Sequence, residues 1–471
     1  MAGEAAGRTR TLVILGATGD LTQRLLLPGL GSLASASSER DAGLTDGLHI
    51  LGSGRSERTD DEWRSLIQEA FATVGARGRR VRALLDRATY VAADPTDPEG
   101  LKSVLRDASD ELILYFALPP AIVSRAVDAL QTVGLPSGSV LVLEKPFGSD
   151  ARSAASLNRR LRRLVPEERI YRVDHFLGMS TVLGVLGMRL ANRLIEPTWN
   201  ADAVERVEIV YDEDIGLEGR AGYYDRAGAM IDMIQSHLLQ VLGIVAMEPP
   251  ADLDSVDLRD AVAQALRATR VWDGVPVLPG TDRPSRRARY TAGTIAGTKY
   301  PAYAKEDGVD PARSTETLAE VAFEVDTARW AGVPFILRSG KALARPVKQI
   351  VLTYRQPRHI PSSMQGVKPP ERIVIGLHEP TIQFDLALNG QDDPFSLSRH
   401  TIATRFADSP LTPYAEVLRG VLSGDETLAI RGDVAERCWR IVAPVLTAWK
   451  KDDVPLDEYR AGSTGPSGWR R

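Results

Sequence analysis

Cysteine is nearly absent: Cys438 stands alone among 471 residues. A single thiol excludes a disulfide framework and any cysteine-based metal site. Excess charge of one sign is missing as well, because 58 basic against 62 acidic residues leave a formal charge of -4. That balance argues against a general nucleic-acid or membrane-surface binder, whose surface would be strongly basic. A local anion site stays open. Met1 to Arg10 carries no apolar core of signal-peptide length, and no stretch reads as long enough to span a membrane. The expected location is therefore cytoplasmic. What the chain does have is 43% hydrophobic and 25% charged residues, the balance of a soluble globular protein. At this length one ordinary core does not suffice, and two domains are expected.

Beyond a small, polar start, Thr11-Leu12-Val13-Ile14-Leu15 reads as a buried strand running into Gly16-Ala17-Thr18-Gly19-Asp20-Leu21. Glycines at a strand-to-helix turn let the backbone approach a pyrophosphate, and the helix start offers free N–H groups. A tight turn between two ordinary elements would read the same. Pro28 is expected to kink or break the helix that follows. The next strand, Leu48 to Gly52, ends in Ser53-Gly54-Arg55-Ser56, with no carboxylate before Glu57. An acidic residue there would hold a ribose 2′-hydroxyl. An arginine with adjacent hydroxyls suits a 2′-phosphate instead. NADP is thereby favoured, with NAD also open, and a solvated loop arginine is the bland alternative.

Thr89–Ala92, Leu112–Ala117 and Ser139–Leu143 read as further buried strands. Strands alternating with helix-length segments imply a Rossmann-like, doubly wound parallel sheet. Lys145 would lie beyond a strand end, where ligands of such sheets bind, or could simply cap that end; Pro146 after it is a candidate cis bond. From about residue 177 the pattern changes. Val204–Tyr211 alternates as a half-exposed strand does. The apolar run Ala229–Met247 carries Asp232 and His237, and Val333–Arg338 and Gln349–Tyr354 suggest an antiparallel sheet. Asp232 and His237 are five apart, about 140° around an α-helix, so spacing alone does not put them on one face. Tyr171-Arg172-Val173-Asp174-His175-Phe176-Leu177-Gly178-Met179 sets a histidine beside a carboxylate, which suits proton transfer.

Six stretches, in order, resemble the glucose-6-phosphate dehydrogenase family over roughly residues 10–450. They are Gly16–Leu21, Glu144-Lys145-Pro146-Phe147-Gly148, Arg172–His175, Gly222-Tyr223-Tyr224-Asp225, Asp232–His237 and Pro334–Lys341. The resemblance implies a dinucleotide-binding domain over 10–176. It also implies a substrate-binding and dimerisation α+β domain over 177–457, with a large, mostly antiparallel sheet. Residues 458–471 are expected to be a mobile tail. The coenzyme site would use Gly16, Thr18, Gly19, Asp20, Leu21, Arg55, Ser56 and Lys145. His237 matches the family's general base and Asp174 the carboxylate paired with it. Glu213 and Asp232 match residues that hold sugar hydroxyls, and Lys145 and Lys341 match substrate-contacting lysines. The implied partners are a sugar or sugar-phosphate substrate and a second copy, as a homodimer or a dimer of dimers. Neither nucleic acid nor membrane is expected.

One region departs from the family. His175 matches a phosphate-binding histidine, but Phe176 stands where the family has tyrosine and Met179 where it has lysine. Losing one hydrogen bond to a charged group costs about 1.5–3 kcal/mol. Either another cation replaces them, with Arg345 and Arg220 as candidates, or the substrate carries no 6-phosphate. Three readings follow: an NADP-dependent glucose-6-phosphate 1-dehydrogenase, the same chemistry on a non-phosphorylated or otherwise substituted hexose, and a catalytically weak regulatory or assembly subunit. Retention of Asp174, His237, Lys145 and Asp232 favours the first two.

Overall fold

A computed structural model describes residues 10–38, 41, 43–106, 108, 111–219, 221–366, 369–390, 393, 395–407 and 409–469. Arg220 lies outside these described residues. The chain forms two compact units. The first takes in the chain up to Met179 with Asp252–Arg259 and Ser409–Glu436; the second takes in Ser180–Ala251, Asp260–Asp408 and the remainder from Arg437.

In the first unit six strands run parallel: β1 (Arg10–Leu15), β2 (Leu48–Gly54), β3 (Thr89–Ala92), β4 (Glu111–Phe116), β5 (Val140–Glu144) and β6 (Ile170–Val173). Their spatial order is 3-2-1-4-5-6, the doubly wound arrangement of dinucleotide-binding folds. The strands are buried on both faces, so β1 and β4 are nearly continuous apolar runs. Leu12, Ile14, Ile50 and Tyr115 pack with Trp63 and Phe71 from the covering helix Asp60–Ala72. Thr59 and Glu62 close that helix's start as a reciprocal capping box. The helix after β1 is not broken at Pro28. Its turns widen to π geometry over Thr22–Leu26, and Pro28 then falls in the first turn of Leu27–Ala34, where a missing N–H costs nothing.

A seventh strand, Ala429–Ile430, pairs antiparallel with β6. Residues 409–436, placed by sequence in the second domain, thus belong to the first unit. Leu418, Val421 and Leu422 of this stretch pack into the first unit's core, and Arg172 anchors it at the sheet edge. Fully buried on β6, it pairs with Glu167 at 2.7 Å and donates to the Ile430 carbonyl at 3.3 Å. Glu167 in turn accepts the Gly432 N–H at 2.9 Å. A two-residue strand has no periodicity from which it could be predicted.

The second unit is built on an 11-stranded sheet. Its centre is β7 (Val204–Asp212), antiparallel to Val347–Tyr354 on one side and parallel to Pro334–Gly340 on the other. Arg372–Gly376, Thr381–Asn389 and Ser396–Arg405 extend one wing, and Leu318–Val325 and Ser285–Thr291 the other. Most pairings are antiparallel, as expected. The tail is not loose: Leu456–Arg460 pairs parallel with Ser285–Thr291. Tyr459 is buried and donates to the Lys341 carbonyl at 2.7 Å, while Trp469 is buried under the Arg286 guanidinium, 4.4 Å above its ring. Two large anchors outweigh the glycine and serine between them. The helical run Ala221–Ala246 is long and apolar enough, by length and composition, to cross a membrane, contrary to the sequence reading, but 83% of its most apolar window is buried within the protein.

A row of buried charges crosses this sheet. Arg286 meets Glu320 at 2.9 Å, Arg338 meets Glu320 at 3.5 Å, and Arg338 meets Asp212 at 2.9 Å. Removing one member of such a row strands the others without compensation. Glu320→Ala should therefore lower unfolding free energy by about 3–5 kcal/mol, measured by urea denaturation. A loss below about 1 kcal/mol would show that water reaches these groups.

Candidate active site

In the first unit the geometry begins at the turn after β1. Gly16 has φ +89°, and a Cβ placed there would lie 2.2 Å from the Ala117 carbonyl oxygen. Only glycine allows β1 and β4 to part so closely, at the point where the strand order reverses. Gly16 and Ala17 donate to the Ser53 carbonyl at 2.8 and 3.0 Å, and Gln23 fixes the Thr18 carbonyl at 2.8 Å. At Gly54 an added Cβ would meet the Tyr90 hydroxyl at 2.9 Å. The turn is thus a backbone-lined cradle that side chains would fill, which fits a dinucleotide phosphate. Thr18 and Gly19 are half-buried in it, Leu21 is half-buried, and Asp20 is exposed and paired with Arg24 at 3.5 Å. Arg55 and Ser56 are exposed just past β2. Asp94 is held below the usual carboxylate range chiefly by bonds from Thr96, with Arg55 and Arg125 adding to the pull. Arg125 is a second cation there that sequence reading missed.

Beyond β5, Lys145 and Pro146 are joined by a cis peptide bond, and Lys145 is half-buried. Beyond β6, buried Asp174 accepts the Phe176 N–H at 3.0 Å and so caps the short helix His175–Gly178. His175 stacks on Tyr414, with centroids 5.5 Å apart and planes 21° off parallel, and meets the edge of Phe176 at 5.1 Å. Phe176 is only 2% exposed and Met179 is half-buried. Gly178 permits this packing, since a Cβ would lie 2.5 Å from the Pro413 carbonyl oxygen. Tyr414 arrives on the helix Pro413–Ser423, and nothing local in sequence links it to His175.

Glu144 joins these groups from below. Tyr115 donates to its carboxylate at 2.5 Å, and Tyr414 bonds it as well. Burial pushes this carboxyl up to about 7, against the downward pull of the two phenols and of Lys145. Asp174 adds a further upward push. Glu144 opens one of the six family-like stretches, whose resemblance implies no role for it.

In the second unit, Glu213 follows directly on β7 and meets Lys341, past the end of Pro334–Gly340, at 2.6 Å. Lys341 is buried, and its ammonium lies 5.4 Å from the Tyr224 ring centroid. Arg345, four residues on, is exposed. Asp232 and His237 sit on Met230–Leu238, a π-helical segment. Its bonds run i→i+5, as where the Leu239 N–H reaches the Ile234 carbonyl. Residues five apart then follow one another by one turn. Asp232 and His237 share a face, which α-helical spacing did not predict. His237 is buried, Asp232 half-buried. Tyr223 hydrogen-bonds Asp232.

A parallel sheet with a glycine cradle at its switch point, and a second unit presenting a histidine, two carboxylates and a lysine, define a dinucleotide-dependent oxidoreductase. Residues 13–183 match the family described as glucose-6-phosphate dehydrogenase, NAD binding domain, and residues 186–471 match its C-terminal domain. The glucose-6-phosphate 1-dehydrogenase of Treponema pallidum (strain Nichols) is 36% identical over 97% of this chain and 92% of its own length. That of Gluconobacter oxydans (strain 621H) is 37% identical over 96% and 94%. Among solved structures, glucose-6-phosphate 1-dehydrogenase from Mycobacterium avium is 31% identical, with a TM-score of 0.80 over 98% of this chain and 96% of its own. A glucose-6-phosphate dehydrogenase in complex with its substrate glucose-6-phosphate is 26% identical, with a TM-score of 0.82 over 98% and 97%. The chain belongs to the glucose-6-phosphate dehydrogenase family.

The Glu144 cluster makes a pH prediction. With its carboxyl raised from 4.5 to about 7, the folded protein keeps a proton that the unfolded chain has released. The resulting stabilisation is full below about 4.5 and is lost as pH rises through about 7. Glu144→Gln should flatten this part of the stability profile, read from urea midpoints at about pH 5 and about pH 7.5. An unaltered slope would mean that Glu144 ionises normally.

Proposed function

We propose that this protein oxidises glucose 6-phosphate at C1 to 6-phosphoglucono-1,5-lactone, using NADP, with His237 as the general base. The observation that carries this reading is the π-helical segment, which sets Asp232 and His237 on one face. Bound in the glycine cradle, NADP supplies the hydride acceptor. His237 takes the proton of the C1 hydroxyl as the C1–H pair leaves, and the C1–O bond becomes a carbonyl. Asp174 is the carboxylate assigned to stabilise the resulting imidazolium. Glu213 and Asp232 hold hydroxyls of the ring, Lys145 and Lys341 contact the substrate, and His175 binds the phosphate. The coenzyme would be held by Gly16, Thr18, Gly19, Asp20 and Leu21 at the pyrophosphate, and by Arg55 and Ser56 at the 2′-phosphate. A cytoplasmic homodimer or dimer of dimers completes the reading. The exposed apolar side chains Leu388, Phe395 and Ile402 near the sheet's far wing suit burial against a second copy.

A second substrate remains in play because Phe176 brings no hydroxyl and Met179 no charge to the place of a phosphate. Initial rates with glucose 6-phosphate and with free glucose, each against NADP and NAD, decide between them. Preference for free glucose would overturn the phosphate assignment, and no turnover with either would overturn the enzyme.

His237→Ala should lower kcat by about 10²–10⁴-fold, the usual worth of a positioned general base. Near-normal turnover would remove His237 from the chemistry. Arg55→Ala should raise KM for NADP about tenfold or more, corresponding to ~1.5–3 kcal/mol, and leave KM for NAD nearly unchanged. Equal effects on the two coenzymes would make Arg55 a solvated bystander.

A further inference from the structure

The helical run through the second unit is interrupted at Gly228, whose φ of 62° and ψ of -179° are not helical. A new helix has to begin just after it, with backbone N–H groups that lack helical partners. Glu316 meets two of them. Its backbone carbonyl accepts the Ala229 N–H at 3.3 Å, and its carboxylate accepts the Met230 N–H at 2.9 Å. Both Glu316 and Met230 are buried. The carboxylate also lies where Gly228 has no side chain: a Cβ there would be 2.3 Å from Glu316 Oε1.

The neighbours of Glu316 extend the same hold. Thr315 donates to the Asp225 carbonyl at 2.7 Å, on the helix before the break. Thr317 accepts the Lys341 N–H at 2.9 Å. Three consecutive residues therefore tie together the helix before the break, the start of the π-helical segment and the backbone of Lys341.

We propose that Glu316 is a positioning residue: it fixes the start of the π-helical segment in the register that puts Asp232 and His237 on one face. This rests on the assignment of Asp232 and His237 to the sugar site. An N-terminal carboxylate also complements the positive end of the new helix. Burial raises the Glu316 carboxyl to about 7 against the Met230 bond and the field of Arg287, so the hydrogen bond to Met230, which either protonation state can accept, is the constant element of the contact.

Three variants test it. Glu316→Ala should lower kcat/KM for the sugar by about ten- to hundredfold, the scale of a misplacement near 1 Å, while KM for NADP stays within about twofold. Glu316→Gln keeps an oxygen acceptor and should restore most of the activity. Amide exchange over Met230–Leu238, read without substrate, should speed up in Glu316→Ala and not in Glu316→Gln. If Glu316→Ala does not fold, Glu316→Asp, too short to reach Met230, carries the same comparison. Wild-type kcat and sugar KM in Glu316→Ala, or a Gln variant as impaired as the Ala variant, would overturn the proposal. So would equal loss of sugar and coenzyme binding. The exchange result is independent of which sugar is oxidised, so failure of the substrate assignment and failure of the clamp are separable.

Discussion

A charged or polar group taken out of water must be met by donors or by opposite charge, and in this protein that demand decides where distant stretches of chain meet. Arg172 draws Ile430 to the edge of the parallel sheet. Glu144 collects hydroxyls from Tyr115 and Tyr414. Glu320 stands between two arginines, and Lys341 closes on Glu213. Apolar burial makes the layers, but these contacts set which residues of the layers face one another.

Two buried acids, Glu144 and Glu316, have carboxyls raised to about 7, in each case chiefly by burial. One sits beneath the residues assigned to the phosphate and the other at the start of the segment carrying Asp232 and His237. Their effect is on the side chains above them, through hydrogen bonds that fix a ring plane in one case and a helix register in the other.

The parts of the fold legible in sequence are those where composition mirrors burial. β1, β2, β4 and β5 are apolar runs between turn residues because parallel strands are covered on both faces. The glycine turn was legible because only Gly16 suits its backbone angle and close approach. Elements defined by hydrogen bonding rather than by burial were not. The π-helical segment has the same residue types as an α-helix, so the α-helical angle between Asp232 and His237 misled. Leu456–Arg460 is mostly charged and polar, and only its partner strand makes it a strand. Within the site, motif matching could reach Glu213 and Lys341, which do form a pair. Tyr414 and Glu316 act through residues remote in sequence and belong to none of the motifs, so no local pattern pointed to them.

The return of Ser409–Glu436 to the first unit has a consequence for the order in which the protein comes into being. On the ribosome β6 lacks its neighbour Ala429–Ile430 until the roughly 250 residues between them have been made. At roughly 5–20 residues per second the nascent sheet waits for tens of seconds with one edge unpaired and with Arg172 lacking its carbonyl partner. During that interval most of the second unit is synthesised. The coenzyme-binding half therefore begins before the second unit and is completed only after most of it, with one sheet edge open in between.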